Sequence, residues 1–553
     1  MSDEAALLKA IIAHPDDDTP RLMYADWLDE NTPDKKPSPA AGPSARAEFI
    51  RVQCRLAQWP YDDPDYPELL ERERDLGTWI NTHNPQLAER VPELPDDLDW
   101  YGNFDPAEWP QVRRGFPDEA EFMDYDSDEP EKNVTTIADA LKEAFANTTI
   151  RSLSLEDALG AEIAGLVKRP VVAGLRGLRL GYLDDDETIK AIRAIATSAH
   201  LSGLRRLLLE FPVDGEHSQL LAKATGLGSL DTLEVDSAGR DGMKILASGR
   251  WFRNLRVLSI WLGGNVAMKS LAELPSMPNL VLLRLNGIGS PSQTSIRKFA
   301  ASDSFPQLAH LAIDSTERLS PELITLLARG SWPLRHLRIQ GIAVRKAGAE
   351  ALANAPFAET LRVLELDDCE ITAGGVAALA ASEKLAGLKH LALLNNPVGP
   401  SGLTAIASSP YLRGLRSLNL STAHNAKVPL DARSVQNFLG ALEMPDLRHL
   451  DLNKLPVGIR GARTIAEGAS FANLTLLHLD ECGIGEKGAK AIVESATLGN
   501  LVTLNLNANG TGKSVSRLGD PKVLPRLAEC NLYRNRLPKG AVGRLRKRPG
   551  ILI

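Results

Sequence analysis

LRVLELDDCEITAGGVAALAASEKLAG (361–387) decides the fold. Its opening has the form L-x-x-L-x-L, and two-residue alternation puts Leu364 and Leu366 on one face of a short strand with Glu365 on the other. The spacing then changes: Ile371, Gly375 and Leu379 stand four apart, which is the spacing of one helix face. A strand, a turn and a helix in so few residues cannot bury their apolar faces alone, so copies of the unit must stack side by side.

The copies are present. The opening recurs at 150, 175, 204, 230, 255, 280, 308, 334, 361, 388, 415, 447, 474, 501 and 527, and its three key positions are always apolar. Cys530 is the one non-aliphatic among them. The helical pattern returns most clearly in VGPSGLTAIA (398–407), VGIRGARTIA (457–466) and IGEKGAKAIV (484–493). The expected fold is α/β: a parallel sheet lining the inside of an arc, helices outside, and an inner length of roughly 70 Å at about 4.8 Å per strand.

These residues resemble the leucine-rich repeat, in its longer ribonuclease-inhibitor-like subtype. That resemblance implies an Asn or Cys eight residues after the first Leu, bonding the loop backbone. Cys369, Asn396, Cys482, Asn509 and Asn535 fit it, whereas Ala158, Leu183, Pro212, Ala238, Gly263, Ile288, Thr316, Ile342, Ala423 and Leu455 depart from it.

The front of the chain is different. Residues 1–83 carry 9 Lys and Arg against 17 Asp and Glu, residues 84–131 carry 3 against 15, and the remainder is net basic. Leu7, Leu8, Ile11 and Ile12 mark a first helix, and Thr19 as N-cap with Pro20 at the first helical position opens a second over 20–30. A third covers 46–58, with Phe49, Val52 and Leu56 on one side; a fourth covers 68–80, aligning Leu69, Leu76 and Ile80. The expected organisation is a helical domain over 1–83 with a Pro/Ala-rich insertion at 32–45. An acidic linker over 84–133, with a strand near 111–122, then leads to an arc of about fifteen units over 134–553. LLKAIIAHPDDDTPRLMYADWLDE followed by RAEFIRVQ resembles the repeat-companion domain that precedes leucine-rich repeats in planctomycete bacteria, and WPQVRRGFPDEAEF (109–122) resembles the strand placed before the first repeat. The resemblance implies an architecture and no chemistry.

Chemical motifs are sparse. NANGTGKS (507–514) is one residue from a phosphate-binding loop, but Asn507 stands where the first Gly belongs and Asn509 fills the repeat's own slot. His14 with Asp16, Asp17 and Asp18 reads as an acidic turn opening the second helix, with no second ligand cluster nearby. Cys54 reads as a small buried hydrophobe. We expect no catalytic residues, no cofactor, no metal and no membrane span. Four cysteines in 553 residues, without a signal-like start, suit a cytoplasmic protein.

Binding residues are therefore sought on the inner face. Positions two, four, six and seven after the first Leu are expected to face solvent. The candidates are Arg206, Glu234, Trp261, Arg284, His310, Asp314, His336, Arg338, Glu365, Asp367, His390, Asp451, His478, Asp480 and Tyr533, with Leu262 and Leu394 as further apolar anchors. Four histidines share the second position: His310, His336, His390 and His449. The residue after the first Leu is basic in nine units, so the leading edge of the sheet becomes a basic row, against which the acidic linker is expected to dock. The insertion STAHNAKVPLDA lengthens one unit and could overhang the face. The functional expectation is a scaffold that binds a protein partner on the concave face. The alternatives are a regulator or inhibitor of an enzyme or GTPase, and a substrate-recognition arm for activity in the helical domain. Nucleic acid fits poorly, because acids interleave with the basic row.

Overall fold

A computed structural model describes residues 2–58, 65–83, 98–99, 112–114, 116–122, 130–156, 158–213, 215–261, 265–319, 321–422 and 430–553. Fifteen strands, from Ser152–Leu155 to Glu529–Asn531, correspond one to one with the fifteen L-x-x-L-x-L openings. Each pairs in parallel with its neighbours. Glu119–Phe122 adds a parallel strand before the first unit, and Ile551–Leu552 adds one after the last. Leu98–Asp99 pairs antiparallel with the leading strand.

The three apolar positions of every unit are buried and join one continuous core. Helices pack on the outer side, each against the next. Helices need about 8–10 Å between axes where strands need about 4.8 Å, so the stack must curve with its strands inside. Small residues keep that outer spacing tight. A Cβ on Gly402 would lie 2.9 Å from Val398 Cγ1 and 3.3 Å from Ala373 Cα, and one on Gly488 would lie 3.0 Å from Ala462 Cβ. A recurrent serine ties several units to the one before. Ser382 Oγ donates to Ala353 O at 2.6 Å, and Ser409 and Ser495 do the same to Ala380 O and Ala466 O.

The Asn/Cys slot works as hydrogen-bond plumbing where it is present. Asn509 Oδ1 accepts from Cys482 N and Ile484 N, while its Nδ2 donates to Leu479 O and Asn507 O. Asn396 and Asn535 repeat the arrangement. In several departing units the slot is plugged by a buried apolar side chain, as with Ala158, Ala238, Ile288, Ile342 and Leu455, whereas Pro212 is exposed. Gly263 and Ala423 lie outside the described residues.

The basic row has a local structural task. Arg362 Nη1 donates to the carbonyls of Glu359, Thr360 and Leu361, closing the turn that precedes its own strand. Arg176 and Arg151 do likewise. At the far end Arg548 gathers the carbonyls of Leu518, Asp520, Val523, Leu524 and Leu527, sealing the last unit.

The front folds as four helices: α1 (Asp3–Ala13), α2 (Thr19–Asn31), α3 (Ala45–Ala57) and α4 (Tyr66–His83). Thr19 is the first residue of α2 rather than its cap; Asp18 takes the cap position, and Asp17 Oδ1 accepts from Thr19 N. Phe49, Val52, Leu56, Leu69, Leu76 and Ile80 form one cluster, as their spacing requires, but Val502 and Ala528 of the last two units belong to it as well. The helical domain is packed onto the arc.

Candidate functional site

The inner face meets α4. Tyr66 at its start stands edge-on to His310, ring centroids 5.1 Å apart, and His310 stands edge-on to His336 at 4.9 Å. Glu68 pairs with Arg416. Glu71 Oε1 lies 3.1 Å from His390 Nε2 and 3.2 Å from His449 Nδ1. Arg74 Nη2 lies 2.6 Å from His449 Nε2, with Asp75 beside it. Beyond, a Cβ on Gly550 would sit 2.7 Å from Thr82 Cγ2. The helix runs along the leading edge from the seventh unit to the end of the arc.

The other side of the helical domain grips the first units. Asp16 Oδ2 accepts from Arg176 Nε at 3.1 Å, and Arg151 Nη2 donates to Ile12 O. Asp18 pairs with Arg114 at 2.7 Å, and Phe116 packs on Tyr24 under Arg21 and Arg46. The acidic turn at 16–18 is thus a clamp on the arc. Cys54 lies near Asp18 but is buried, and burial pushes its thiol up to about 12, so no thiolate forms there.

Position two therefore does not face solvent as a row, which corrects the sequence reading. His310 is 5% exposed and His449 4%, while His390 is largely covered. Arg206 is buried too, donating to Ser152 Oγ and pairing with Asp118. The basic edge meets acids of the helical domain, through Arg176 and Arg416. Of the acidic linker, Asp118 contacts the sheet; most of 84–131 lies outside the described residues, as do Leu262 and 423–429.

The remaining candidates form two groups. Glu365 lies 3.5 Å from His336 Nε2 and 3.7 Å from Arg338 Nε. Asp367, on the same strand, has its carboxyl pushed up to about 6 by burial and by Glu365. Glu234 is raised by burial, opposed by Arg284 and a bond from Ser259. The second group is structural or open. Asp314 Oδ1 accepts from Gly287 N at 2.7 Å. Asp451 Oδ2 lies 3.3 Å from His478 Nδ1, and Asp480 Oδ1 accepts from Asn507 Nδ2. Trp261 and Tyr533 are 45% and 48% exposed. Trp261 lies against Gly287, whose φ of +62° and absent Cβ leave room for the ring.

Tyr66, Glu68, Glu71, Arg74 and Asp75 were not among the sequence candidates. Glu68, Glu71 and Asp75 stand at i, i+3 and i+7, an acidic stripe on the helix opposite Leu69 and Leu76. That stripe was the available signal.

The near-phosphate-loop holds no anion site in this geometry. Asn509 N and Thr511 N both donate to Asn535 Oδ1, and a Cβ on Gly512 would lie 3.1 Å from the Glu486 carboxylate. Among the described residues no cluster of His, Cys, Asp and Glu has the geometry to hold a metal ion, and no helix is long and apolar enough to cross a membrane.

The leucine-rich repeat family model matches residues 358–380 and 472–493, and the chain carries leucine-rich repeats there. No curated protein matches the chain. Among solved structures it is similar to an internalin from Listeria monocytogenes, with 14% identity, covering 77% of this chain and 94% of that one, at a TM-score of 0.32. It is also similar to the yeast Rad7 and Elc1 complex, with 14% identity, covering 74% of this chain and 85% of that one, at a TM-score of 0.31. A Bacteroides fragilis protein is similar at 16% identity, covering 55% and 74%, with a TM-score of 0.29.

Proposed function

We propose that this leucine-rich-repeat protein is a non-catalytic cytoplasmic scaffold that binds a protein partner on the part of its concave face left open by the helical domain. The observation that carries the reading is Trp261, a large aromatic nearly half exposed at the end of its strand, six residues after the first Leu of its unit. Exposed aromatics on a rigid concave surface are the usual anchors of protein binding. On the same face stand Glu234, on the neighbouring strand, and Asp314, Arg338 and Asp367, two to four strands along, with Tyr533 at the far end. Charge on these side chains would set encounter and orientation, and the aromatic residues would set the lifetime of the complex. The helical domain, in this reading a repeat-companion domain, holds the arc in shape rather than carrying chemistry.

The test is affinity capture from native lysate with the full-length protein and a Trp261→Ala/Tyr533→Ala variant, read by mass spectrometry. A protein captured by the native chain and lost in the variant supports the reading. Capture that is unchanged in the variant overturns the placement on this face.

A further inference from the structure

The contact between α4 and the sheet is lined by three histidines, side chains that titrate near neutrality when free, and it sets a guanidinium against one of them. Arg74 Nη2 lies 2.6 Å from His449 Nε2 and 2.9 Å from its Nδ1, so a permanently charged guanidinium is pressed against a buried imidazole. Glu71 Oε1 lies 3.2 Å from His449 Nδ1, a charge contact without hydrogen-bond alignment. Protonating the ring would set a cation against a cation in a buried contact. His390 stands on the other side of the same Glu71 oxygen, and Tyr66 covers His310.

We propose that this histidine row is an acid-released latch: protonation of His310, His390 and His449 lifts the helical domain from the leading edge of the arc. The inference goes beyond partner binding and does not depend on it.

The charged groups facing each ring support the direction. His449 is surrounded by Arg74, Asp75, Arg448, His478 and Glu71; burial, then Arg74, holds it well below its ordinary value. His390 meets Glu71, His449, His336 and Glu365, and burial brings it to about 4. His310 has His336, Arg335 and Arg284 around it, and burial again lowers it well below 6.5. Glu71 runs the other way, raised by burial against His390, Arg74, Arg448 and Arg416. The docked contact thus holds at most one proton, on Glu71 or shared with His390. The released rings, at their ordinary value near 6.5, take up three. Once the released rings are all charged, release therefore absorbs two or more net protons, and acid favours it by about 100-fold or more per pH unit below about 6. The remaining carboxylates, Glu68 and Asp75, pair with Arg416 and Arg74 across or beside the contact.

The experiment is hydrogen exchange on the full-length protein at about pH 7.5 and about pH 5.5, corrected for the intrinsic pH dependence of amide exchange. Protection of 66–83 is expected to fall about tenfold or more at the lower pH while the strand Val363–Asp367 stays protected. His390→Gln/His449→Gln should flatten that response. Glu71→Gln, which removes the one group able to hold a proton in the docked contact, should move release to higher pH. Equal protection of 66–83 at both pH values overturns the proposal, as does simultaneous loss in Val363–Asp367 or an undiminished response in the double variant. If the double variant loses protection of its arc at neutral pH, the Glu71→Gln midpoint decides, and an unmoved midpoint overturns the latch.

Discussion

Arg74, in the fourth helix of the front domain, reaches His449, in the twelfth repeat strand, at 2.6 Å across 375 positions of sequence. The two belong to structures with nothing in common in composition or period. Their contact makes the helical domain part of the arc's architecture rather than an appendage to it. In a double-mutant cycle of Arg74→Met and His449→Phe, the coupling in urea unfolding at neutral pH is expected to be about 1–3 kcal/mol, the range for a hydrogen bond to a charged group. Additive single effects would mean the two side chains do not interact in solution.

Asn509 carries four hydrogen bonds in a buried loop. Asn509→Ala leaves two amides and two carbonyls without partners and is expected to cost about 2–4 kcal/mol in thermal or urea unfolding. Asn473→Ala, which removes one exposed bond to Pro445 O, is the contrast and should cost about 1 kcal/mol or less.

The four cysteines, Cys54, Cys369, Cys482 and Cys530, are all buried. Burial pushes the thiols of Cys54 and Cys530 up to about 12 and raises the other two further. The native protein at about pH 8 is therefore expected to react with none of its thiols on the minutes scale, and with four once denatured. A thiol-disulfide colour assay with and without guanidinium reads both numbers.

Asp367 gives a pH-dependent stability with an uncommon sign. Its folded value, about 6, lies above its ordinary 3.8, so the folded state holds more protons between these values and stability falls as pH rises through that window. Asp367→Asn is expected to stabilise by about 1–3 kcal/mol at about pH 7.5 and to lose that advantage by about pH 4. Urea midpoints at the two pH values check it, and equal gains at both would remove burial of the charge as the cause.

The arc was legible because its determinants are local and repeated. Leu361, Leu364 and Leu366 state a strand and its buried face within six residues, and fifteen such statements leave one way to stack. The slot filled by Asn396 or Asn509 was legible for the same reason. The docking of the front domain was not. Nothing near His390 or His449 in sequence distinguishes an imidazole facing water from one facing Glu71, because the partner lies more than 300 residues away. The polar stripe of Glu68, Glu71 and Asp75 looks like a solvated helix face until the helix is placed. The final strand, Ile551–Leu552, escaped because it carries too few residues to show a period.

The front domain holds the first two units through Asp16 and Ile12 and the last through Thr82, so the two ends of the solenoid are clasped to one body. An unclasped repeat array behaves as a spring: it flexes along its length and melts in segments, because each unit depends on its neighbours alone. With its ends fastened, this spring cannot widen at any point without straining the clasp. Distant units therefore share one fate on unfolding, and the curvature offered to a partner is set in advance rather than adjusted on contact.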